Sequence, residues 1–140
     1  MTNEVVTLKG AIDVKLFDLE GRLIQHMAKS NVVVTVGKNY LATPGNGLGD
    51  FLEIACGTGS TPASASDTAL VAEAFRKAGS LSSALNVFQN TTTFLPGDGT
   101  GLIQEIGLFA GSTLLARQTI TAFNKTGSNS MIVTWQITIS

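Results

Sequence analysis

The C-terminal stretch Met131-Ile132-Val133-Thr134-Trp135-Gln136-Ile137-Thr138-Ile139 decides the fold. Read at period two, Met131, Val133, Trp135, Ile137 and Ile139 fall on one side. Successive side chains of a strand point to opposite faces, so this is a strand with one buried face, and Trp135 fills the core between Val133 and Ile137. The same alternation recurs in Ala11-Ile12-Asp13-Val14-Lys15-Leu16-Phe17, where Ile12, Val14 and Leu16 face one way. Asp18-Leu19-Glu20-Gly21 then reads as a hairpin turn, with Gly21 able to take positive φ, and Arg22 to Lys29 returns as the partner strand.

Working inward, a valine-rich piece spans Val32 to Val36, and Lys38 to Thr43 predicts a short helix ended by Pro44. Pro44 to Gly49 reads as a flexible loop and Phe51 to Cys56 as a strand. Gly57 to Ser66 is a small-residue loop, after which Ser66 or Asp67 would cap a short helix running to Glu73. Phe75 to Ala78, the Thr-rich Leu81 to Phe94, Leu102 to Phe109 and Thr113 to Ile120 read as strands. Gly and Pro clusters at Leu95–Gly101, a tight turn at Ala110–Ser112 and a last loop at Asn124–Asn129 separate them. The 17 Thr, 10 Val and 9 Ile suit a pleated surface better than a helix. The expectation is one all-β domain over residues 1–140. It is an antiparallel β-sandwich, jelly-roll-like, with about eight strands, one or two short helices and an N-terminal arm over about residues 1–9.

Composition narrows the function. The 140 residues suffice for one domain. Charged residues make up only 14% and the net charge is −1, so no basic stripe exists to displace counterions from nucleic acid. Near-zero charge with a mean hydropathy of +0.27 favours self-association and a surface covered by another protein. The start of the chain lacks a basic segment followed by an apolar run, and apolar runs are short, so neither secretion nor a membrane span is expected. That places the chain in a cytoplasm, or in something assembled there.

The chain carries few residues suited to chemistry. One cysteine, Cys56, excludes an internal disulfide, and one histidine, His26, excludes a two-histidine metal site. Gly57-Thr58-Gly59-Ser60-Thr61 has no Lys to reach a phosphate. His26 has no partner carboxylate evident from spacing, and Cys56 ends an apolar strand as a small hydrophobe. Asp98, in Pro96-Gly97-Asp98-Gly99, is one carboxylate where calcium needs several, so it reads as a turn former. Asn90-Thr91-Thr92 and Asn124-Lys125-Thr126 match the glycosylation pattern, which is irrelevant without secretion. The expectation is no catalysis, no cofactor and no metal.

Because charges are scarce, two pairs stand out. Glu73 and Arg76 lie three apart at the end of the candidate helix. Glu105 and Arg117 lie on strands joined by Ala110–Ser112 and can meet across that ladder. A lone charge in an apolar strand is costly unless paired, so both pairs read as structural or interface ion pairs.

The segments that hold these pairs resemble a recurrent stretch of small virion proteins of tailed bacteriophages. One half is Gly57-Thr58-Gly59-Ser60-Thr61-Pro62-Ala63 with Asp67-Thr68-Ala69-Leu70, Glu73 and Arg76. The other is Ile103-Gln104-Glu105-Ile106-Gly107-Leu108-Phe109 with Leu114-Leu115-Ala116-Arg117. The resemblance covers roughly residues 51 to 120. At this chain length it implies a capsid decoration, or cement, protein on the outside of the major capsid shell. Such a protein is a homo-oligomer, dimer favoured over trimer, that bridges capsomers and is assembled in the host bacterial cytoplasm. The alternative is a tail or baseplate adaptor or a fibre-base module. A third reading, from another class, is a small sandwich enzyme or lectin. Expected partner-binding segments are Thr2 to Lys9, the loop carrying Pro44, Asn46 and Leu48, and the loop carrying Gly57, Thr58, Ser60 and Pro62.

Overall fold

The computed structural model describes residues 6–140. Nine antiparallel strands dominate the described residues: β1 (Leu8–Phe17), β2 (Leu23–Val33), β3 (Glu53–Gly57), β4 (Glu73–Ala78), β5 (Ser80–Ala84), β6 (Val87–Phe94), β7 (Gly101–Ala110), β8 (Thr113–Lys125) and β9 (Ser130–Ile139). One α-helix, α1 (Thr35–Ala42), and a 3₁₀ turn at Leu48–Asp50 are the only helical elements among the described residues.

The strands run in the order β4-β3-β7-β8-β2-β1-β9-β6-β5. The all-β, antiparallel expectation holds, but the two faces of the expected sandwich belong to one nearly closed, barrel-like sheet. β2 makes the continuity: residues 23–31 pair with β1, and Val32 and Val33 then pair with Arg117 and Ala116 of β8. The run expected as separate pieces at 22–29 and 32–36 is therefore one long strand followed by α1, which starts at Thr35 instead of Lys38.

The far side closes at Gly79. β4 pairs with β3 and β5 pairs with β6, and Gly79 between them donates its N–H to Leu52 O at 2.9 Å. A Cβ at Gly79 would meet Thr92 Oγ1 at 2.1 Å and Asn90 Oδ1 at 2.3 Å, so only glycine lets the chain cross there. Asn90, buried, seals the same seam by donating Nδ2 to Phe51 O (3.1 Å) and Leu52 O (2.9 Å). That burial takes Asn90 out of reach of any modification at its sequon.

The hairpin turn at Asp18–Gly21 forms as expected. Gly21 has φ +79°, and Asp18 Oδ1 accepts the N–H groups of Glu20 and Arg22. Those hydrogen bonds, that from Arg22 foremost, hold the Asp18 carboxyl below its usual range. Of the expected N-terminal arm, residues 1–5 lie outside the described residues. Leu8 and Lys9 belong to β1, paired with Ile139 and Thr138, and Thr7 exchanges backbone hydrogen bonds with Ser140. The long strand expected over 81–94 is broken by a turn at Leu85-Asn86 into β5 and β6.

The period-two alternation of β9 defines the core as far as Ile137, whereas Ile139 at the end of the strand is 38% exposed. Met131, Val133, Trp135 and Ile137 are fully buried, together with Ile12, Val14 and Leu16 of β1 and Ile54, Ile106 and Leu108 of β3 and β7. A second, smaller cluster on the opposite face of the β3–β7–β8 sheet joins Val34, Ala55, Leu70, Phe109 and Leu114. What covers that outer face is the segment between β3 and β4.

Candidate functional site: a loop clamped by a buried ion pair

Glu105 and Arg117 lie diagonally across the β7–β8 ladder, because Gly107 is the residue opposite Arg117 and Glu105 shares its face. Both side chains are fully buried. Arg117 Nε donates to Glu105 Oε1 at 3.1 Å and Nη2 lies 3.0 Å from the same oxygen. The remaining donors reach into the crossing segment: Nη1 to Asp67 Oδ2 at 3.0 Å and Nη2 to Thr61 O at 2.8 Å. Glu105 accepts three backbone N–H groups from the same segment. Val71 donates to Oε1 at 2.9 Å, and Gly59 and Ala72 donate to Oε2 at 2.9 and 2.7 Å. The pair thus holds both ends of residues 58–72 against the sheet.

Local sequence makes the close approach possible. A Cβ at Gly57 would stand 2.7 Å from Glu105 Oε2, and one at Gly59 would stand 2.5 Å from it. Gly107 leaves room for Leu70, whose Cδ2 would be 2.8 Å from a Cβ there. Leu70 consequently plugs the small outer cluster beside Phe109 and Leu114. Thr35 at the start of α1 donates its N–H to Ala65 O at 2.9 Å, tying the helix to the same segment.

The helix expected from Ser66 or Asp67 to Glu73 does not form. Asp67 instead accepts Ser64 N–H at 2.9 Å and the Arg117 guanidinium, and Leu70 must point into the sheet. Glu73 and Arg76 lie on β4, and their pairing has another cause than helical spacing. Cys56 opposes Phe75 while Gly57 opposes Glu73, so Ala74 is an extra residue, a bulge. The bulge brings residues three apart to the same side: Arg76 Nη2 donates to Glu73 Oε1 at 2.8 Å, and Glu53 stands 3.7 Å from Nη1. The Arg76 guanidinium lies 3.8 Å above the Phe109 ring, and Nη1 also donates to Gly111 O.

Thr58, Ser60 and Pro62 are exposed on the clamped segment, whereas Gly57 is buried beneath it. Pro44 is exposed, but Asn46 and Leu48 are half-buried. Their loop is closed by Asp50, which accepts Gly47 N–H at 3.0 Å and the Tyr40 hydroxyl at 2.9 Å, and Leu48 packs on the core. The expected flexible loop is thus a hydrogen-bonded turn. The hydrogen bond to Asp50 raises the Tyr40 pKa. His26 does find a carboxylate, across the β1–β2 hairpin: Nε2 is 2.6 Å from Asp13 Oδ1 on an open face, where no hydroxyl among the described residues hydrogen-bonds the ring. Cys56 is buried, and burial pushes its thiol up to about 12. Asp98 accepts Leu95 N–H at 3.0 Å and Lys77 Nζ at 2.9 Å, and the lysine holds its carboxyl below the usual range. Among the described residues no three His, Cys, Asp or Glu side chains gather in a way that could hold a metal ion.

Sequence reasoning misses Asp67 as the third charge of the clamp and Leu70 as its plug. Gly107, a glycine inside an apolar strand between Glu105 and Phe109, is the signal that something must pack there. It also misses Lys125, buried at the end of β8, which donates to Leu95 O at 2.8 Å and whose pKa is lowered by burial. Comparison with protein-family models, with curated proteins and with solved structures finds no match for this chain.

Proposed function

We propose that this chain is a structural protein of a tailed-phage virion, a capsid decoration protein that binds outside the major capsid shell and bridges capsomers as a homo-oligomer. The observation that carries the reading is the clamp. The two halves of the phage-like stretch, Gly57–Arg76 and Ile103–Arg117, interlock through Glu105, Arg117, Asp67 and Leu70. The residues behind the resemblance therefore act together, and they act on shape. Their product is a ledge of exposed small residues, Ser60, Thr61, Pro62, Ser64, Ala65, Ser66, Thr68 and Ala69, fixed to a rigid sheet.

A ledge ordered before binding loses little entropy on contact with a partner surface, which suits a protein that works by adhesion. Low charge suits broad contact with a neighbouring protein. Two linked copies would engage two capsomers at once and gain avidity from that bivalency. The partner is the phage major capsid protein, and the location is the capsid exterior. The experiment is a copy count per particle by quantitative gel: hundreds of copies support decoration of the head, whereas about a dozen or fewer contradict it and indicate the tail.

A further inference from the structure

We propose that the free edge of β5, Ser80–Ala84, is where a second copy of this chain joins, strand to strand across a two-fold axis. The inference rests on the homo-oligomeric part of the function proposed above and is separable from its capsid part. Among the described residues β5 pairs with β6 on one side only, and all five of its residues are exposed. An open edge is a template for another strand unless charges, bulges or prolines block it. The two ends of this sheet differ in that respect. β4 carries Glu73, Arg76, Lys77 and the bulge at Ala74, whereas β5 reads Ser-Leu-Ser-Ser-Ala with no blocking device.

A second copy of this chain fits the edge on charge. β5, β6 and β9, three neighbouring strands, contain no Asp, Glu, Lys or Arg at all. A partner with a charged edge gains nothing there, while a second copy meets no like charge. Geometry agrees: an antiparallel edge turned through 180° offers N–H groups to its own C=O groups, so it complements itself. Ser82 is the middle residue of the five and stands opposite the outward Gln89, so the axis passes beside it. The edge itself carries Leu81, 36% exposed, and just past it stands Leu85, fully exposed at the turn and held there at φ +54°, a conformation leucine rarely adopts. Beside them opens a cavity of about 430 Å³ whose lining combines the apolar Leu48, Leu81, Leu85, Val87, Phe88 and Ile139 with polar groups of β5 and Asn86. Burying these apolar groups supplements the ladder, which at about 17 Å is short for a stable interface.

The test is sedimentation velocity of the full chain from about 1 to about 200 μM, the range a small interface requires. The expected result is a mass that doubles with concentration for the wild type. S82K and S82E each place like charges face to face across the axis, and each should weaken pairing at least about tenfold. Mixing the two variants should restore dimers, because the charges then oppose. Circular dichroism verifies that the variants keep their strands. A wild type monomeric throughout, an S82K that dimerises like wild type, or a mixture that stays monomeric overturns the proposal. A wild type that is monomeric yet decorates capsids sinks the pairing alone. A β5 dimer that binds no capsid sinks the capsid reading alone.

Discussion

Arg117 Nη2 stands 3.0 Å from Glu105 Oε1 with neither side chain touching solvent, and between them they hold four backbone groups of one loop. Two charges taken out of water are stabilising only if every remaining donor and acceptor finds a partner. Here the partners are supplied by the segment that the pair fixes in place.

Removing Arg117 alone leaves a buried carboxylate without its counter-charge. Arg117→Ala should lower unfolding free energy by about 3–5 kcal/mol. Urea denaturation measures it, and a loss under about 1 kcal/mol would mean that the pair is not buried in solution.

Replacing a buried ion pair with apolar residues is neutral or stabilising in many proteins. A different outcome is expected here, because Glu105 also accepts N–H groups from Gly59, Val71 and Ala72. Glu105→Leu with Arg117→Met should stay destabilised, and limited proteolysis should cut within residues 58–72. An uncut, fully stable double variant would show that the loop holds itself.

Leu70 and Gly59 test the clamp without touching its charges. Leu70→Ala empties the outer cluster at a cost of about 2–5 kcal/mol. Gly59→Ala drives a methyl to 2.5 Å from Glu105 Oε2 and should expose the same cleavage sites. Wild-type protease resistance in both would contradict the geometry.

The Cys56 thiol ionises at about 12 when folded, against 9.0 for an unperturbed group. Between those values the unfolded chain releases a proton that the native chain keeps, so stability falls as pH rises. The wild type should therefore lose stability relative to Cys56→Ala from about pH 9 upward, and native Cys56 should resist a disulfide reagent until unfolding. A thiol that reacts at once in the native state would contradict this burial.

Asp98 shows the opposite sign. Lys77 lowers its folded pKa below 3.8, so its contribution is present above that value and lost as pH falls through the lowered one. Asp98→Asn should flatten the acid limb of the stability curve, and an unchanged limb would place the loss elsewhere.

Much of the fold is legible because burial on one face leaves period two in the sequence, as β9 and β1 demonstrate. β2 is harder to read: it leaves one half of the sheet for the other near Asn31, so its single strand resembles two fragments. The 66–73 segment carries a plausible helix start. Tertiary contacts override it, since Asp67 goes to Arg117 and Leu70 goes into the sheet. Glu105 and Arg117 are visible as charges in apolar strands, yet Glu105 binds three backbone N–H groups and Arg117 a backbone carbonyl, partners that no side-chain pattern marks. The Glu73–Arg76 pair is legible by spacing for the wrong reason, because the bulge at Ala74 is what brings the two together.

Most direct is rebinding of the purified chain to capsids that lack it, read as the temperature at which packaged DNA is released. Saturable binding of hundreds of copies to the outer shell, with a higher release temperature, is the expected result. Capsids that ignore the protein and release their DNA at an unchanged temperature would contradict it.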